Sequence, residues 1–421
     1  MVKSEELKFK NNKPTIALVS PFEPSILDGV QPLRYMEITR VALEMGYNVL
    51  FVTSTFKHVT KQHRHNQSRV FEVSAEHKIV YLKSIGYKRN ISVLRFIDHT
   101  IWGFKVLKTF KQFDRIDAVI ATFPTVVSNL LISDYCEKKE IPFALDIIDP
   151  WPDSFHGVVR NVWSKRFIWL ITLPQKWLIL LGLRNVDFLI GLSNEYAQWG
   201  KQLYLKPTTQ YLAVYPGVNL DYSRSILELG KRQNSYLKEA EIEIIYLGSL
   251  SDTYDIPCIL EAAKIMDGEG YFKRVKFHIV GSGNQAQSIR DFIQIHQLKN
   301  LVYHGRLEDE DLMPLMSQCD IGLIQHKSDA SQSITYKPFT YLGYGLVLIN
   351  SLWSEVRNLI DSYEIGFTHK PSDARGLVDC VYNYLDHPNL LKEHKSNALK
   401  CANEIGDNSK NYFEMIEKIM M

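Results

Sequence analysis

The chain alternates short, nearly uninterrupted apolar runs with longer stretches of helical periodicity. In the first half the runs are TIALVS (15–20), NVLFVTS (48–54), DAVIAT (117–122), PFALDII (142–148) and DFLIGLS (187–193). In the second half they are IEIIYLG (242–248), VKFHIVG (275–281), NLVYHG (300–305), DIGLIQ (320–325) and LVLIN (346–350). Runs that stay apolar at consecutive positions are those of strands buried on both faces of a parallel sheet. Strands that alternate with helix-length segments imply serial βαβ units. The pattern predicts an α/β chain with two doubly wound domains. Between the two series lies a polar, tyrosine-rich stretch without sustained periodicity, which places a hinge within 207–240. The expected domains are 1–207 and 208–408, followed by a terminal helix in 409–421. A length of 421 residues suits two cores better than one.

The same pattern says where to look for chemistry. Ligands of open α/β sheets bind beyond the carboxyl ends of the strands, and two facing sheets would place a site in the cleft between them. Charge adds an asymmetry. Residues 1–207 hold 28 Lys+Arg against 19 Asp+Glu, while 208–421 hold 21 against 28. A basic half joined to an acidic one suggests that the first meets an anionic surface or ligand. No basic run interleaved with aromatics points to nucleic acid. The five cysteines lack metal-ligand or paired spacing, which argues for a reducing compartment without zinc or disulfides. The first 20 residues do not have the form of a signal peptide.

Five stretches carry candidate chemistry. Gly29 lies between the first run and a helix in which Arg34, Glu37 and Arg40 alternate with apolar positions; it serves either an anion-binding loop or a plain β–α turn. In FALDIIDPWPDSFHG (143–157), Asp149 stands at a strand's carboxyl end before a rigid Pro-Trp-Pro. It is a candidate catalytic or substrate-orienting carboxylate, unless Asp149 or Asp153 caps the next helix. Residues 161–185 combine Trp163, Trp169 and Trp177 with Lys165, Arg166 and Lys176, and are too interrupted to span a bilayer. They suit an interfacial segment or an amphipathic core helix. STFKHVTKQHRH (54–65) gathers Lys57, His58, Lys61 and Arg64, as a solvated basic loop or as contacts to a phosphate-bearing acceptor. The turns at Gly248-Ser249 and Gly281-Ser-Gly283 permit close backbone approach, but no acid ends the next strand, which disfavours NAD.

The serial order of these pieces resembles the retaining glycosyltransferases of family 4, which have the GT-B fold of two Rossmann-like domains, and most of all those that build bacterial surface polysaccharides. The motifs are the loop at Gly29, DPWPDS (149–154), GLSNEY (191–196), YPGVN (215–219), YLGSL (246–250), IVGSG (279–283), YHGRLEDEDLMPLMSQCDIGLI (303–324) and YKPFTYLGYGLVLINS (336–351). The resemblance implies that the first domain takes the acceptor, through Gly29, Arg34, His58, Lys61 and His156. It implies a nucleotide-sugar site in the second, from Gly248, Ser249, Gly281, Gly283 and Arg306 together with Gln332, Ser333, Lys337, Thr340 and Glu355. Lys337 is the expected diphosphate cation and Asp149 the expected catalytic carboxylate. No metal and no cofactor beyond the donor substrate are expected. By the same resemblance the terminal helix would pack on the first domain.

The sequence also departs from the family pattern. Gln332 and Thr340 stand where members often carry two glutamates eight positions apart, with Glu355 a substitute from the next loop. Ile148 replaces a frequent His or Arg, and SLSDTYDI (249–256) has no cation. The expected function is metal-independent transfer of a sugar, hexosyl-type, from a nucleoside diphosphate to a lipid-linked glycan. It would occur at the cytoplasmic face of the plasma membrane, with peripheral contact to anionic lipid. The alternative is a catalytically impaired, glycosyltransferase-like partner subunit or binding module. A sugar-nucleotide epimerase of the same fold would need clustered carboxylates that the sequence does not offer.

Overall fold

The structure, a computed structural model, describes residues 7–30, 33–89, 92–113, 115–151, 153, 173, 175–203, 206–221, 223–225, 240–330 and 332–421. His156, Trp163, Lys165, Arg166 and Trp169 lie outside the described residues. The chain divides into two compact units, Met1–Tyr215 with Ser409–Met421, and Pro216–Asn408.

The first unit contains β1 (Thr15–Val19), β2 (Asn48–Ser54), β3 (Phe56–Lys57), β4 (Gln62–His63), β5 (Arg69–Ser74), β6 (His77–Leu82), β7 (Ala118–Phe123), β8 (Phe143–Ile147), β9 (Phe188–Gly191) and β10 (Gln210–Ala213). Eight of these form one sheet in the order β10-β9-β8-β7-β1-β2-β6-β5, and β3 and β4 form a small hairpin. Every pairing in the large sheet is parallel except β5 with β6. β1 sits at the centre, with Ile16 opposite Val49 on one side and Ala118 on the other. Residues 208–215, expected in the second domain, belong here because β10 pairs with β9.

The terminal helix Asn408–Met420 offers Tyr412, Met415, Ile416 and Ile419 at helical spacing, and all four join the core around Ile16, Leu18 and Phe51. Each such side chain contributes about 1.5–3 kcal/mol by burial.

The second unit contains β11 (Ile242–Leu247), β12 (Val275–Val280), β13 (Leu301–Gly305), β14 (Ile321–Ile324), β15 (Val347–Asn350) and β16 (Gly366–Thr368). They form one parallel sheet in the order β13-β12-β11-β14-β15-β16, the 3-2-1-4-5-6 arrangement of a doubly wound fold. Ile244, Tyr246, Phe277, Ile279, Ile321 and Leu323 centre its core. The five cysteines are buried as thiols, none in a disulfide.

All ten apolar runs are strands. The pattern missed the short or edge strands β3, β4, β5, β10 and β16, and also β6, whose HKIVYL begins with two polar residues. Both are buried, and Lys78 is paired with Glu72 of β5 at 3.0 Å. Helix Arg34–Glu44 buries its apolar Ile38, Val41 and Ala42 together with Tyr35, Thr39 and two charged residues that the alternation had left outward, Arg34 and Glu37. Among the described residues no helix is long and apolar enough to cross a membrane.

Candidate functional site

In the second unit the strand order reverses between β11 and β14, so the residues after these strands border the crevice where open sheets bind ligands. After β11 the chain turns through Gly248 and Ser249, and after β12 through Gly281 and Gly283. The two turns are joined by Gly248 N–H to the Val280 carbonyl (2.9 Å) and Leu250 N–H to the Ser282 carbonyl (3.0 Å). Gly281 has φ +146°, and a Cβ there would lie 1.8 Å from the Gly248 oxygen. Glycine is required at 281 by backbone meeting backbone. Ser249 is exposed, and its carbonyl accepts the Tyr246 hydroxyl at 2.8 Å.

Lys337, at the start of helix Lys337–Gly343, reaches back to the first of these turns. A Cβ on Gly248 would lie 2.7 Å from Lys337 Cε. The ammonium donates to the Tyr246 hydroxyl at 2.9 Å, and sits 4.2 Å from the Tyr246 ring centroid and 3.7 Å from that of Tyr254. Burial pushes its pKa down to about 7. Cation–π contact offsets part of the lost hydration. Behind Tyr254, with ring centroids 4.9 Å apart, lies the fully buried His326, two residues beyond β14. Burial, and then the Lys337 charge, push His326 down to about 3, so its imidazole is neutral.

Several polar atoms after β14 and before Lys337 are buried without a hydrogen-bond partner: Gln325 Oε1, both ring nitrogens of His326, Gln332 Oε1 and Thr335 Oγ1. Each orphan costs about 1–3 kcal/mol, and such groups concentrate where a ligand completes the bonding. Close by in sequence, Ser333 Oγ donates to Glu355 Oε2 at 3.4 Å and its carbonyl accepts from Ser354 Oγ at 2.6 Å. Both Ser333 and Glu355 are buried. Thr340 turns its hydroxyl back to the Tyr336 carbonyl of its own helix at 3.3 Å. Arg306 follows the edge strand β13, with its side chain 75% exposed and a loose 3.4 Å pairing to Glu308. The structure therefore joins Gly248 with Lys337, Gly281 with Gly248, and Ser333 with Glu355. It leaves Arg306 outside this group.

Sequence reasoning missed Tyr246, Tyr254 and His326. His326 was findable, because it directly follows an apolar run and so sits at a strand's carboxyl end.

In the first unit the order reverses between β1 and β7. Arg34, expected to touch an acceptor, is corrected to a core residue. It is bound bidentately to Asp146 of β8 at 2.8 and 2.9 Å, donates to the Val214 carbonyl at 2.9 Å, and stacks at 5.4 Å on Tyr412. Beside this pair lies Glu23, four residues past β1, with Oε2 buried and without a partner. Burial first, and the Asp146 charge second, raise its carboxyl to about 7, against the pull of Arg34.

Asp149 lies two residues past β8, half-buried, its carbonyl accepting Trp151 N–H at 2.8 Å. Asp153 is held by Lys176 at 2.7 Å and by Trp199 Nε1 at 3.1 Å. Gly29 is the exposed left-handed end (φ +62°) of the short helix Ile26–Asp28, with open space where a Cβ would stand, which fits the plain-turn alternative. Next to it, Asp28 pairs with Arg64 at 2.7 Å and Lys57 at 3.1 Å, so two of the basic-loop cations are neutralised. His58 and Lys61 gather instead at Tyr87. Among the described residues no group of three or more His, Cys, Asp or Glu has a metal-holding arrangement.

Residues 230–400 match the family model of glycosyl transferases group 1. No curated protein sequence matches the chain. Among solved structures it is similar to sucrose-phosphate synthase from Thermosynechococcus elongatus (14% identity, TM-score 0.68, covering 96% of this chain and 98% of that one). It is also similar to HepE from Anabaena in complex with UDP (13%, 0.64, 96% and 99%). A third similar structure is WaaG, a glycosyltransferase involved in lipopolysaccharide biosynthesis (12%, 0.62, 95% and 99%). At these identities the structures show a shared fold, GT-B. Together with the group 1 domain they support a glycosyltransferase enzyme.

Proposed function

We propose that the chain is a retaining glycosyltransferase that moves a sugar from a nucleoside diphosphate to a lipid-linked glycan. The observation that carries this is the Lys337 ammonium lodged against Gly248 at the sheet's switch point, inside the region that matches the group 1 model. The nucleotide-sugar donor is supported by the UDP-bound relative HepE. Lys337 stabilises the charge that grows on the leaving diphosphate as the bond to the sugar carbon breaks. The acceptor hydroxyl attacks from the same face, and its proton passes to the departing phosphate oxygen, so no metal and no protein nucleophile is needed. Asp149 orients the sugar or the acceptor. Gln332 and the Ser333–Glu355 pair take sugar and ribose hydroxyls.

Peripheral contact with anionic lipid on the cytoplasmic side is part of the proposal. Trp177 is 62% exposed, and helix Val93–Phe110 exposes Leu94, Ile97, Ile101 and Phe104 at three- and four-residue spacing, running on to exposed Lys108 and Lys111. An apolar stripe edged with cations suits an interfacial helix.

The test is a melting-temperature screen with UDP, GDP, ADP and their sugar conjugates. A ligand at ~100 times its dissociation constant adds about 2.7 kcal/mol, a rise of about 5–10 °C for a unit of this size. A rise with one base supports the reading and names the donor. No rise with any overturns it in favour of a partner subunit that has lost its donor, the reading that Gln332 and the self-bonded Thr340 hydroxyl favour.

A further inference from the structure

At the carboxyl ends of β1, β2 and β6, three adjacent strands of the first unit, basic side chains converge on two aromatic rings. Phe22 follows β1, His58 and Lys61 lie between β3 and β4, Tyr87 follows β6, and Arg95 and His99 occupy the first turns of helix Val93–Phe110. His58 Nδ1 is 2.6 Å from the Tyr87 hydroxyl. Lys61 Nζ lies 4.8 Å from the Tyr87 ring centroid, and the Arg95 guanidinium 5.7 Å from the same ring and 5.5 Å from Phe22. The His99 ring is 5.2 Å from Phe22 and 5.7 Å from Tyr87.

Two features separate this cluster from a solvated basic loop. Lys61 is held at φ +58°, a left-handed conformation that a lysine rarely adopts, and such strain collects at functional positions. Its members also repel one another. Burial and then the charges of Lys61 and Arg95 push His58 down to about 4. Burial and Arg95 lower Lys61, while burial, Arg95 and His58 push His99 down to about 3. The nearby carboxylate, Asp98, accepts at Oδ1 from the N–H groups of Ile85 and Gly86 at 2.6 and 2.9 Å. The β3–β4 turn and the helix thus bring two cations and two imidazoles to the same pair of rings, where the positive charges oppose protonation of the imidazoles beside them.

We propose that Lys61, Arg95, His58 and His99 form a seat for a phosphate-class anion, with Tyr87 and Phe22 as its walls. The planar Arg95 fork and the Lys61 point charge supply complementary contacts to phosphate oxygens. An anion between them opposes the field of Lys61 and Arg95 at the two imidazoles, so binding draws in protons, in the same sense as the neighbouring Asp98 carboxylate and beside the neutral Tyr87 hydroxyl. That the anion belongs to the sugar acceptor rests on the glycosyl-transfer reading; that an anion binds here does not.

The experiment uses the full chain with 13C-labelled histidine, the ring signals of His58 and His99 being assigned from His58→Gln and His99→Gln. The probes are methyl phosphate, sodium chloride at matched ionic strength, and vesicles of phosphatidylcholine with and without phosphatidic acid. Saturable movement of both signals with methyl phosphate but not chloride is the expected result. Lys61→Ala and Arg95→Gln each weaken it by about tenfold or more. Arg95→Lys, a check against misfolding, retains part of the response, and Lys337→Met leaves it intact. Signals that follow ionic strength alone, or that ignore the Lys61 and Arg95 changes, overturn the seat. A response only to phosphatidic acid vesicles assigns the anion to a lipid headgroup; a response to methyl phosphate as well assigns a seat for free phosphate esters. The readout sits in the first unit, so failure of the nucleotide screen leaves this result standing, and the reverse.

Discussion

The Arg34–Asp146 pair is closed off from water, with side chains 0% and 1% exposed. Asp146→Asn keeps the shape and removes the charge. Arg34 then keeps the Val214 carbonyl and its contact with Tyr412, and meets a neutral amide oxygen where a carboxylate stood. Removing one partner of a buried pair costs about 3–5 kcal/mol, because the remaining charge is stranded. Glu23 modulates that cost. Its carboxyl is held near 7 by burial and by Asp146, so in the parent it is neutral at acid pH and ionises only near neutrality. A raised carboxyl contributes stability below the ordinary carboxylate range and loses it as pH rises through about 7. Without Asp146, Glu23 ionises at lower pH and becomes the counter-charge of Arg34.

The loss in Asp146→Asn should therefore be largest at about pH 5, where Glu23 is still protonated, and smaller at about pH 8. At about 2–4 °C per kcal/mol, thermal unfolding followed by circular dichroism should drop by about 6–20 °C at the lower pH. Glu23→Gln alone should remove the parent's decline in stability between about pH 5 and 8. The double change Arg34→Met, Asp146→Leu should recover much of the loss, as apolar replacement of buried pairs commonly does. A drop of the same size at both pH values, or one under about 2 °C, would refute the coupling and the stranded-charge account with it.

Gly281→Ala should destabilise the second unit by about 3 kcal/mol or more, through φ +146° and a Cβ 1.8 Å from the Gly248 oxygen; an unchanged urea midpoint would contradict this. Lys337→Met should leave the unliganded melting temperature level or higher while abolishing any response to nucleoside diphosphates. It should also flatten the parent's loss of stability as pH falls from the ordinary lysine range toward about 7, which is the sign expected of a depressed lysine. A drop of several degrees without ligand would make Lys337 a structural residue.

The strands were legible because a parallel sheet buries both faces, and burial on both faces leaves an apolar run that needs no partner to be seen. β6 was not, since its buried Lys78 has its compensating charge on β5, in Glu72, and no local pattern announces that pairing. The same reason hid Arg34. A charge between apolar helix positions reads as solvent-facing; only Asp146, 112 residues away in a strand, explains its burial. Lys337 was legible from its place before a strand. Its aromatic walls were not, because Tyr246 lies inside an apolar run where it reads as core, and Tyr254 lies in a loop whose notable feature was the absence of cations.

Arg34 and Lys337 together show what separates a structural charge from a functional one in this fold. Both are cations near a switch point, and both are taken out of water. Arg34 has its anion in place, fixed by two hydrogen bonds, and has no unmet demand for another. Lys337 has no carboxylate within ion-pair distance among the described residues; it has a hydroxyl and two ring faces. Rings lower the cost of burying an ammonium without neutralising it. Its proton is therefore held weakly at neutral pH, and an arriving dianion would both fix that proton and gain a nearly desolvated contact. A cation walled by aromatics keeps its demand for an anion, and His326, packed on Tyr254, adds two buried ring nitrogens without a hydrogen-bond partner to the same wall.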